Sequence, residues 1–295
     1  MNCHSHYFVG DCTQSPRAVI FSSTLNGSSQ PAVVMASGLK EYVVKFRDFT
    51  GQFGLMGEVI GNELMAHMGL PVPKWSPIYV SQEFIDKHPN IWYRSRPDSK
   101  GIRPKAGLHF GSRLTLSEGC ARTWTLIPHQ WIGHIANLED LAGALLVDLW
   151  ANNCDRRQYV VVTDGTGVKR LVFIDNDAMF GGWAGTQKTC PGCIIRHQAN
   201  LFSAAWTEPV IRHWRSVIDG ISDSCLDRIV SLVPEEWRDP SALSWARGQL
   251  DIRRRQLDLL IEEVTIFFKT CRVDPCEQPR DAMEENWRTT LSRSV

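Results

Sequence analysis

The chain has 295 residues, with 32 basic and 32 acidic side chains, 43% hydrophobic residues and 22% charged residues. These values are ordinary for a globular protein of one large domain or two lobes, and a formal net charge of zero argues against broad attraction to nucleic acid or an anionic membrane. No apolar run reaches the roughly 18 residues of a spanning helix, and the first residues lack a secretory pattern, so we expect a cytoplasmic protein without a membrane or nucleic-acid partner.

The first 110 residues are predicted to form β-strands with one helix inserted. Runs of β-branched and other apolar residues predict four strands, at 17–23, 31–37, 40–48 and 76–81. Apolar residues three or four apart, from Met56 to Met68, predict an amphipathic helix that ends at Gly69. Residues 84–130, rich in Pro, Gly and Arg, are predicted to be loop and connector.

The second half reads as mainly helical, with one β-hairpin inside it. A leucine stripe predicts a helix over 137–153, and another long helix is predicted at 241–268. Between them, strands at 158–163 and 170–175 are joined by a Gly-containing turn that is typical of a hairpin.

Together these elements predict an α+β fold of two lobes. Residues 1–110 would form a small β-rich lobe, and residues 111–270 a larger, mainly helical lobe. Residues 271–295 have no periodicity and are predicted to be a tail outside the two lobes.

Two features of the first lobe have the chemistry to bind phosphate. Small polar residues between the first two strands offer backbone N–H groups to phosphate oxygens, although most such loops are simple turns: Gly27, Ser28, Ser29 and Gln30. Lys45 lies in an otherwise apolar strand, where a buried ammonium needs an anion. Glu63 on the following helix is predicted to supply it; a lysine that extends to solvent at the lobe edge is the alternative.

Two aspartates flank the predicted hairpin. Asp155 precedes its first strand and Asp175 ends its second strand. Because a hairpin returns to its starting point, the two carboxylates should lie close enough for a metal and its phosphate to bridge them. Each aspartate alone is typical of a turn. A phosphate-covering loop, a fixed cation, metal-binding carboxylates and a residue for the nucleophile are the parts that phosphoryl transfer needs.

Other reactive side chains have weaker patterns. Nine scattered cysteines, an odd number, indicate reduced thiols. Cys190, Cys193 and His197 offer three zinc ligands, but a closed structural zinc site needs four, so a Pro-Gly turn is favoured. Five histidines have no nucleophile at a recognisable spacing and are expected to be surface or hydrogen-bonded residues: His4, His6, His109, His129 and His134.

A collinear series of short segments links these features. The segments are NGSSQPAVV (26–34), YVVKF (42–46), GNELMAHMGLPVP (61–73), GLHFGSRL (107–114), LVDLWANNCDRRQ (146–158), LVFIDNDAMFGG (171–182), VPEEW (233–237) and LDIRRRQL (250–257). From roughly residue 18 to residue 265, they resemble the HipA-like kinase family, in particular its compact bacterial members.

The resemblance implies a protein-kinase-like fold with ATP in the cleft, Mg²⁺ as cofactor and serine or threonine of an unknown protein as acceptor. It implies that Lys45 contacts the α- and β-phosphates, with Glu63 as its ion-pair partner, and that the 27–30 loop covers the phosphates. It further implies that Asp155 accepts or orients the proton of the attacking hydroxyl, and that Asp175 holds Mg²⁺. The extra N-terminal domain of the larger toxin kinases is not evident, so an antitoxin-like partner has no support.

One position departs from the general kinase pattern, which has a metal-binding asparagine five residues after the catalytic aspartate. Here that position is Val160, which cannot coordinate a metal. Either Gln158, Asn176 or Asp177 supplies the second ligand, with Asp177 favoured because it adds charge, or the chain is a pseudokinase that binds nucleotide or regulates a partner. A small-molecule or lipid kinase is a third alternative, since a fold does not determine the acceptor.

Overall fold

The computed structural model describes residues 15–25, 29–93, 101–114, 122–124, 127–184, 194–195 and 198–270. Its first lobe contains a five-stranded antiparallel sheet in the order β1-β2-β3-β5-β4. The strands are β1 (Ala18–Thr24), β2 (Ala32–Ala36), β3 (Lys40–Lys45), β4 (Trp75–Val80) and β5 (Gly107–Arg113). Apolar side chains from β2, β3 and β4 are buried, and Lys45 is at the end of β3.

Strand β5 corrects the sequence-based prediction, which assigned residues 84–130 to loop. This strand lies between β3 and β4, and a short helix α2 (Gln82–Lys87) also falls in the segment. A Cβ at Gly111 would lie 2.3 Å from Cγ1 of Ile78 on β4, so the close packing of this strand requires glycine. The glycine at position 111, which looked like a loop residue, therefore belongs to a strand whose neighbour leaves no room for a side chain at that position.

Helix α1 (Arg47–His67) follows β3 after one residue, so the predicted strand at 40–48 is too long. The helix is interrupted at Gly51, whose φ of 74° and ψ of 167° are outside the helical region and suit a residue without a Cβ. The longer part buries an apolar face that includes Leu55, Val59 and Leu64. The helix then stops before Gly69, in the left-handed conformation with a φ of 83°.

The second lobe combines helices with a three-stranded antiparallel sheet in the order β6-β7-β8. The elements are β6 (Arg122–Trp124), α3 (Asp140–Trp150), β7 (Gln158–Thr163), β8 (Lys169–Ile174), α4 (Ala199–Ala205), α5 (Glu208–Asp219), α6 (Asp223–Ser231) and α7 (Pro240–Thr270). The described chain thus has the predicted α+β fold with a small sheet lobe and a larger helical lobe. None of its described helices is long and apolar enough to cross a membrane.

Helix α3 anchors the segment that leads to the predicted hairpin. Every residue of α3 from Leu141 to Trp150 is buried. Trp150 Nε1 donates to the Leu250 carbonyl on α7 at 2.7 Å, and Arg253 on α7 donates twice to the Leu149 carbonyl. Because Arg253 satisfies the Leu149 carbonyl at the end of α3 and Trp150 is itself bonded to α7, the loop that follows starts from a fixed point.

His109 on β5 has a structural role. Its ring is fully buried; Nδ1 accepts from the Arg47 backbone N–H at 3.0 Å, and Nε2 lies 3.1 Å from the Lys105 carbonyl. The proton is therefore on Nε2, which donates to that carbonyl. Burial lowers the pKa of His109 to about 4, so the ring is neutral at physiological pH. The neutral ring joins β5 to the start of α1.

Candidate active site

Lys45 is the centre of a cluster of three carboxylates. The residue is 8% exposed, and its Nζ donates to Glu58, to Asp175 Oδ1 at 2.6 Å and to Asp177 Oδ2 at 2.9 Å. Glu58 comes from α1, while the two aspartates come from the loop after β8. The fold therefore brings together three residues that the sequence analysis named, Lys45, Asp175 and Asp177, and adds Glu58.

The predicted ion pair between Lys45 and Glu63 is wrong. Glu63 Oε1 accepts instead from Trp75 Nε1 on β4, at 2.7 Å. Glu58 and Glu63 are five residues apart, which places them about 140° apart around a helix. Only one of them can face the lysine, and it is Glu58.

A glycine-lined face of α1 lets the helix approach the segment 175–177 after β8, which we call the acidic loop. A Cβ at Gly57 would lie 2.6 Å from the Asn176 carbonyl oxygen, and one at Gly61 would lie 2.7 Å from Asn176 Cβ. The backbone N–H of Asn176 donates to Glu58 Oε2 at 3.2 Å. Gly54, Gly57 and Gly61 are three and four residues apart, a spacing that marks a face of the helix without side chains next to Glu58. This spacing was the sequence signal that could have identified Glu58.

The close approach predicts a penalty for Gly57→Ala. The added methyl group would overlap the Asn176 carbonyl, and we expect a loss of about 2 kcal/mol in the free energy of unfolding, measured by urea denaturation. Gly248→Ala on α7 is the matched control, since its Cβ would meet nothing within 4 Å. The control should be neutral or stabilising by up to about 1 kcal/mol. Equal effects of the two substitutions would contradict the packing described for α1.

The carboxylates carry more negative charge than Lys45 neutralises. One oxygen from each of Glu58, Asp175 and Asp177 lies within 4.8 Å of the others. Burial raises the pKa of Asp177 to about 7, and the charges of Asp175 and Glu58 add to this while Lys45 opposes it. Burial alone would lower the pKa of Lys45, but the three carboxylates outweigh it and raise that pKa well above its usual value. An oxygen-only, anionic donor set of this kind fits a hard divalent cation.

Gln158 holds the second oxygen of Asp175. Its Nε2 donates to Asp175 Oδ2 at 2.5 Å, while Lys45 binds Oδ1, so both carboxylate oxygens are oriented. Gln158 begins β7 opposite Ile174, and Val160 pairs with Val172 further along the same hairpin. Metal coordination through the side-chain oxygen of Gln158 remains a prediction.

Comparison with known proteins identifies the family. A family profile described as HipA-like kinase matches residues 18–267. The chain belongs to the HipA-like kinase family. This confirms the resemblance inferred from the short segments. Comparison with curated proteins gives no match.

A solved kinase structure resembles this HipA-like kinase in fold. The Golgi casein kinase is 12% identical, with 87% of this chain and 74% of that chain covered and a TM-score of 0.51. The proinflammatory kinase CtkA of Helicobacter pylori is 8% identical, with 84% of this chain and 94% of that chain covered and a TM-score of 0.48. At such identities the likeness to the casein kinase concerns the fold alone.

Asp155 lies on the exposed side of the site of this HipA-like kinase. Its carboxylate accepts from the Arg156 backbone N–H at 2.7 Å, and its own N–H donates to Asn153 Oδ1 at 3.1 Å. The preceding residue, Cys154, donates its backbone N–H to the Ala178 carbonyl at 3.1 Å. The loop that carries Asp155 is thus bonded to the loop that carries Asp175 and Asp177.

The predicted phosphate loop is described in part. Gly27 and Ser28 lie outside the described residues, as do Cys190, Cys193 and His197. Ser29 is buried, and Gln30 has a positive φ of 42° just before β2. The Gln30 Oε1 atom is buried and has no hydrogen-bond partner among the described residues. A ligand donor at this loop would satisfy that atom.

Proposed function

We propose that this HipA-like kinase transfers the γ-phosphoryl group of ATP, with Mg²⁺, to a serine or threonine hydroxyl of a protein. One observation carries the proposal: Lys45 from β3, Glu58 from α1 and the two aspartates after β8 converge on one partly buried point. Three separate elements have to meet to form this cluster. Phosphoryl transfer is the chemistry that uses a fixed cation beside metal-binding carboxylates.

The residues have distinct roles in this proposal. Lys45 binds phosphate oxygens, since its ammonium is fixed by a strand and by the carboxylates around it. Glu58, Asp175 and Asp177 hold Mg²⁺, which when bound neutralises charge on the phosphate oxygens. Gln158 keeps the Asp175 carboxylate oriented through its amide N–H. Orientation before the reaction lowers the cost of reaching the transition state.

Asp155 is the general base in this proposal. Its exposed position lets a hydroxyl on a large acceptor approach the carboxylate. The carboxylate accepts the hydroxyl proton as the oxygen attacks the γ-phosphorus in line, and the bond from the γ-phosphorus to the bridging oxygen breaks to release ADP. The hydrogen bonds from Asp155 and Cys154 to neighbouring groups keep this loop in place before the acceptor arrives. The 29–30 segment, with the residues before it, covers the phosphates.

A pseudokinase is the second candidate, favoured by Val160 at the position of the usual metal-binding asparagine. In that case the cluster binds nucleotide without transferring phosphate. The two candidates differ in whether labelled phosphate leaves ATP.

The test is incubation of the purified protein with γ-labelled ATP and Mg²⁺, followed by analysis of phosphorylated amino acids on the protein itself and on added casein. We expect label on serine or threonine, lost on chelation of Mg²⁺ and reduced about 10²–10³-fold in Asp175→Asn. Asp164→Asn, in the turn between β7 and β8, is the matched control and should retain transfer. ATP binding by wild-type protein without transfer would support the pseudokinase, whereas label on a lipid or a small molecule instead of protein would overturn the proposed acceptor.

A further inference from the structure

The side chain of Arg157 is a buried cation between the two loops of the site. It has no exposed surface, and Asp148 on α3 faces it in the same buried state. Arg157 Nε donates to Asp148 Oδ2 at 3.0 Å and Nη2 donates to Asp148 Oδ1 at 2.5 Å. Asp148 also accepts from Asn153 Nδ2 at 2.8 Å, so its carboxylate is held from two sides.

The remaining nitrogen of the Arg157 guanidinium bonds to the acidic loop. Nη1 donates to the Ile174 carbonyl at 2.8 Å, to the Asp175 carbonyl at 3.1 Å and to Asn176 Oδ1 at 3.1 Å. A guanidinium can bind a carboxylate with one edge and further acceptors with the other; a lysine ammonium has no such planar fork. Arg157 therefore links the rigid helix α3 to the loop that supplies Asp175 and Asp177.

These bonds surround a strained residue. Asp175 has a φ of 67°, in the left-handed region that side chains with a Cβ rarely adopt. Such a conformation persists when surrounding contacts hold it, and Arg157 bonds the carbonyls of Ile174 and of Asp175 itself. The resulting turn points the Asp175 carboxylate toward Lys45 and Gln158.

We infer that Arg157 is the positioning residue that sets the backbone of the acidic loop, so that Asp175 and Asp177 meet Glu58 in metal-binding geometry. The adjacent Gln158 orients the Asp175 carboxylate. Two neighbouring residues, Arg157 and Gln158, therefore position the backbone and the carboxylate of Asp175 separately. Since Val160 cannot supply an oxygen, cation binding depends on how well three carboxylates are placed. The inference rests on the proposed function, and Arg157 itself touches neither phosphate nor acceptor in it.

The experiment measures Mn²⁺ affinity of the nucleotide-free protein by calorimetry, together with the melting temperature and kcat and KM for ATP. We expect Arg157→Lys to weaken Mn²⁺ binding about 10- to 100-fold, as is usual when a group that orients metal ligands is removed. Arg253→Lys is the matched control, because Arg253 also donates twice to a backbone carbonyl, but that of Leu149 at the end of α3. It should lower the melting temperature without changing the Mn²⁺ affinity.

A double variant separates positioning from folding. Arg157→Met combined with Asp148→Asn removes both buried charges, which often restores stability, and keeps an acceptor for Asn153. We expect a melting temperature within about 5 °C of wild type but the same 10- to 100-fold loss of Mn²⁺ affinity. Wild-type affinity in a folded double variant would overturn the inference and leave the proposed function intact. If the Arg157 variants bound Mn²⁺ more weakly and the wild type transferred no phosphate, the positioning role of Arg157 would be supported and the proposed transfer contradicted. Wild-type protein that binds no Mn²⁺ would overturn both.

Discussion

Replacing Lys45 with methionine is expected to raise the affinity of the nucleotide-free protein for Mn²⁺ while abolishing phosphoryl transfer. The ammonium lies among the three carboxylates that would bind the cation, so the two positive groups compete for the same negative charge. Methionine keeps the length and the apolar stem of the side chain. With an effective dielectric constant of about 20, removal of one charge at the distances within this cluster corresponds to at least a tenfold change in cation affinity. We expect the Mn²⁺ affinity to rise roughly 10- to 100-fold.

Calorimetric titration with Mn²⁺ and the labelled-ATP assay measure the two effects on the same protein. Lys87→Met is the matched control, because Lys87 is exposed at the end of α2 and should change neither quantity. The expected loss of transfer is about 10²–10³-fold or greater, since a preorganised cation on the phosphates is removed. An unchanged Mn²⁺ affinity would mean that the cation does not share the position of the lysine ammonium.

Asp155→Asn should also lose transfer, but here the affinities for Mn²⁺ and ATP should be preserved. Removal of a general base lowers the rate about 10²–10⁴-fold. The amide oxygen can still accept from the Arg156 N–H, and the residue is exposed, so the loop and the melting temperature should not change. Affinities for Mn²⁺ and ATP are expected to stay within about twofold of wild type, because tenfold would already require 1.4 kcal/mol of lost contact.

Single-turnover transfer from labelled ATP and calorimetric titration measure these two quantities. The Asp164→Asn variant again controls for the loss of one carboxylate elsewhere. If Asp155→Asn retained full transfer, the proton acceptor would be another group, and the metal-binding cluster would be unaffected by that result. If it lost ATP affinity in proportion to its rate, Asp155 would act in binding and not as a base.

The hairpin is the part of the site that local sequence patterns predicted well. Alternating strand-forming residues on either side of a Gly-rich turn determine the pairing of β7 with β8, with Gln158 opposite Ile174. This register requires only short-range information, and it places the residues before β7 beside those after β8. The proximity of the loops that carry Asp155 and Asp175 follows from it.

The partner of Lys45 could not be predicted in the same way. The periodicity of α1 identifies an apolar face, but Glu58 and Glu63 are both compatible with that pattern until the packing partners of the helix are known. Glu63 accepts a hydrogen bond from Trp75 on β4, whereas Glu58 accepts one from the backbone of the acidic loop. Likewise, β5 was missed in part because Gly111 accommodates the Ile78 side chain of β4, a requirement that no local window of sequence contains.

The sequence by itself determined the family, the α+β order of elements and the hairpin, because collinear motifs and the periodicity of side chains are local properties. Only the tertiary structure decided that Glu58 completes the cluster, that Arg157 bonds the acidic loop to α3, and that Gln158 directs its amide N–H toward Asp175. These contacts join residues that are 9 to 19 positions apart in the chain, and the Lys45–Asp175 contact spans 130. They form because burying charged groups is unfavourable unless each one has a partner, and the packing of α1, α3 and β8 determines which partners are in reach.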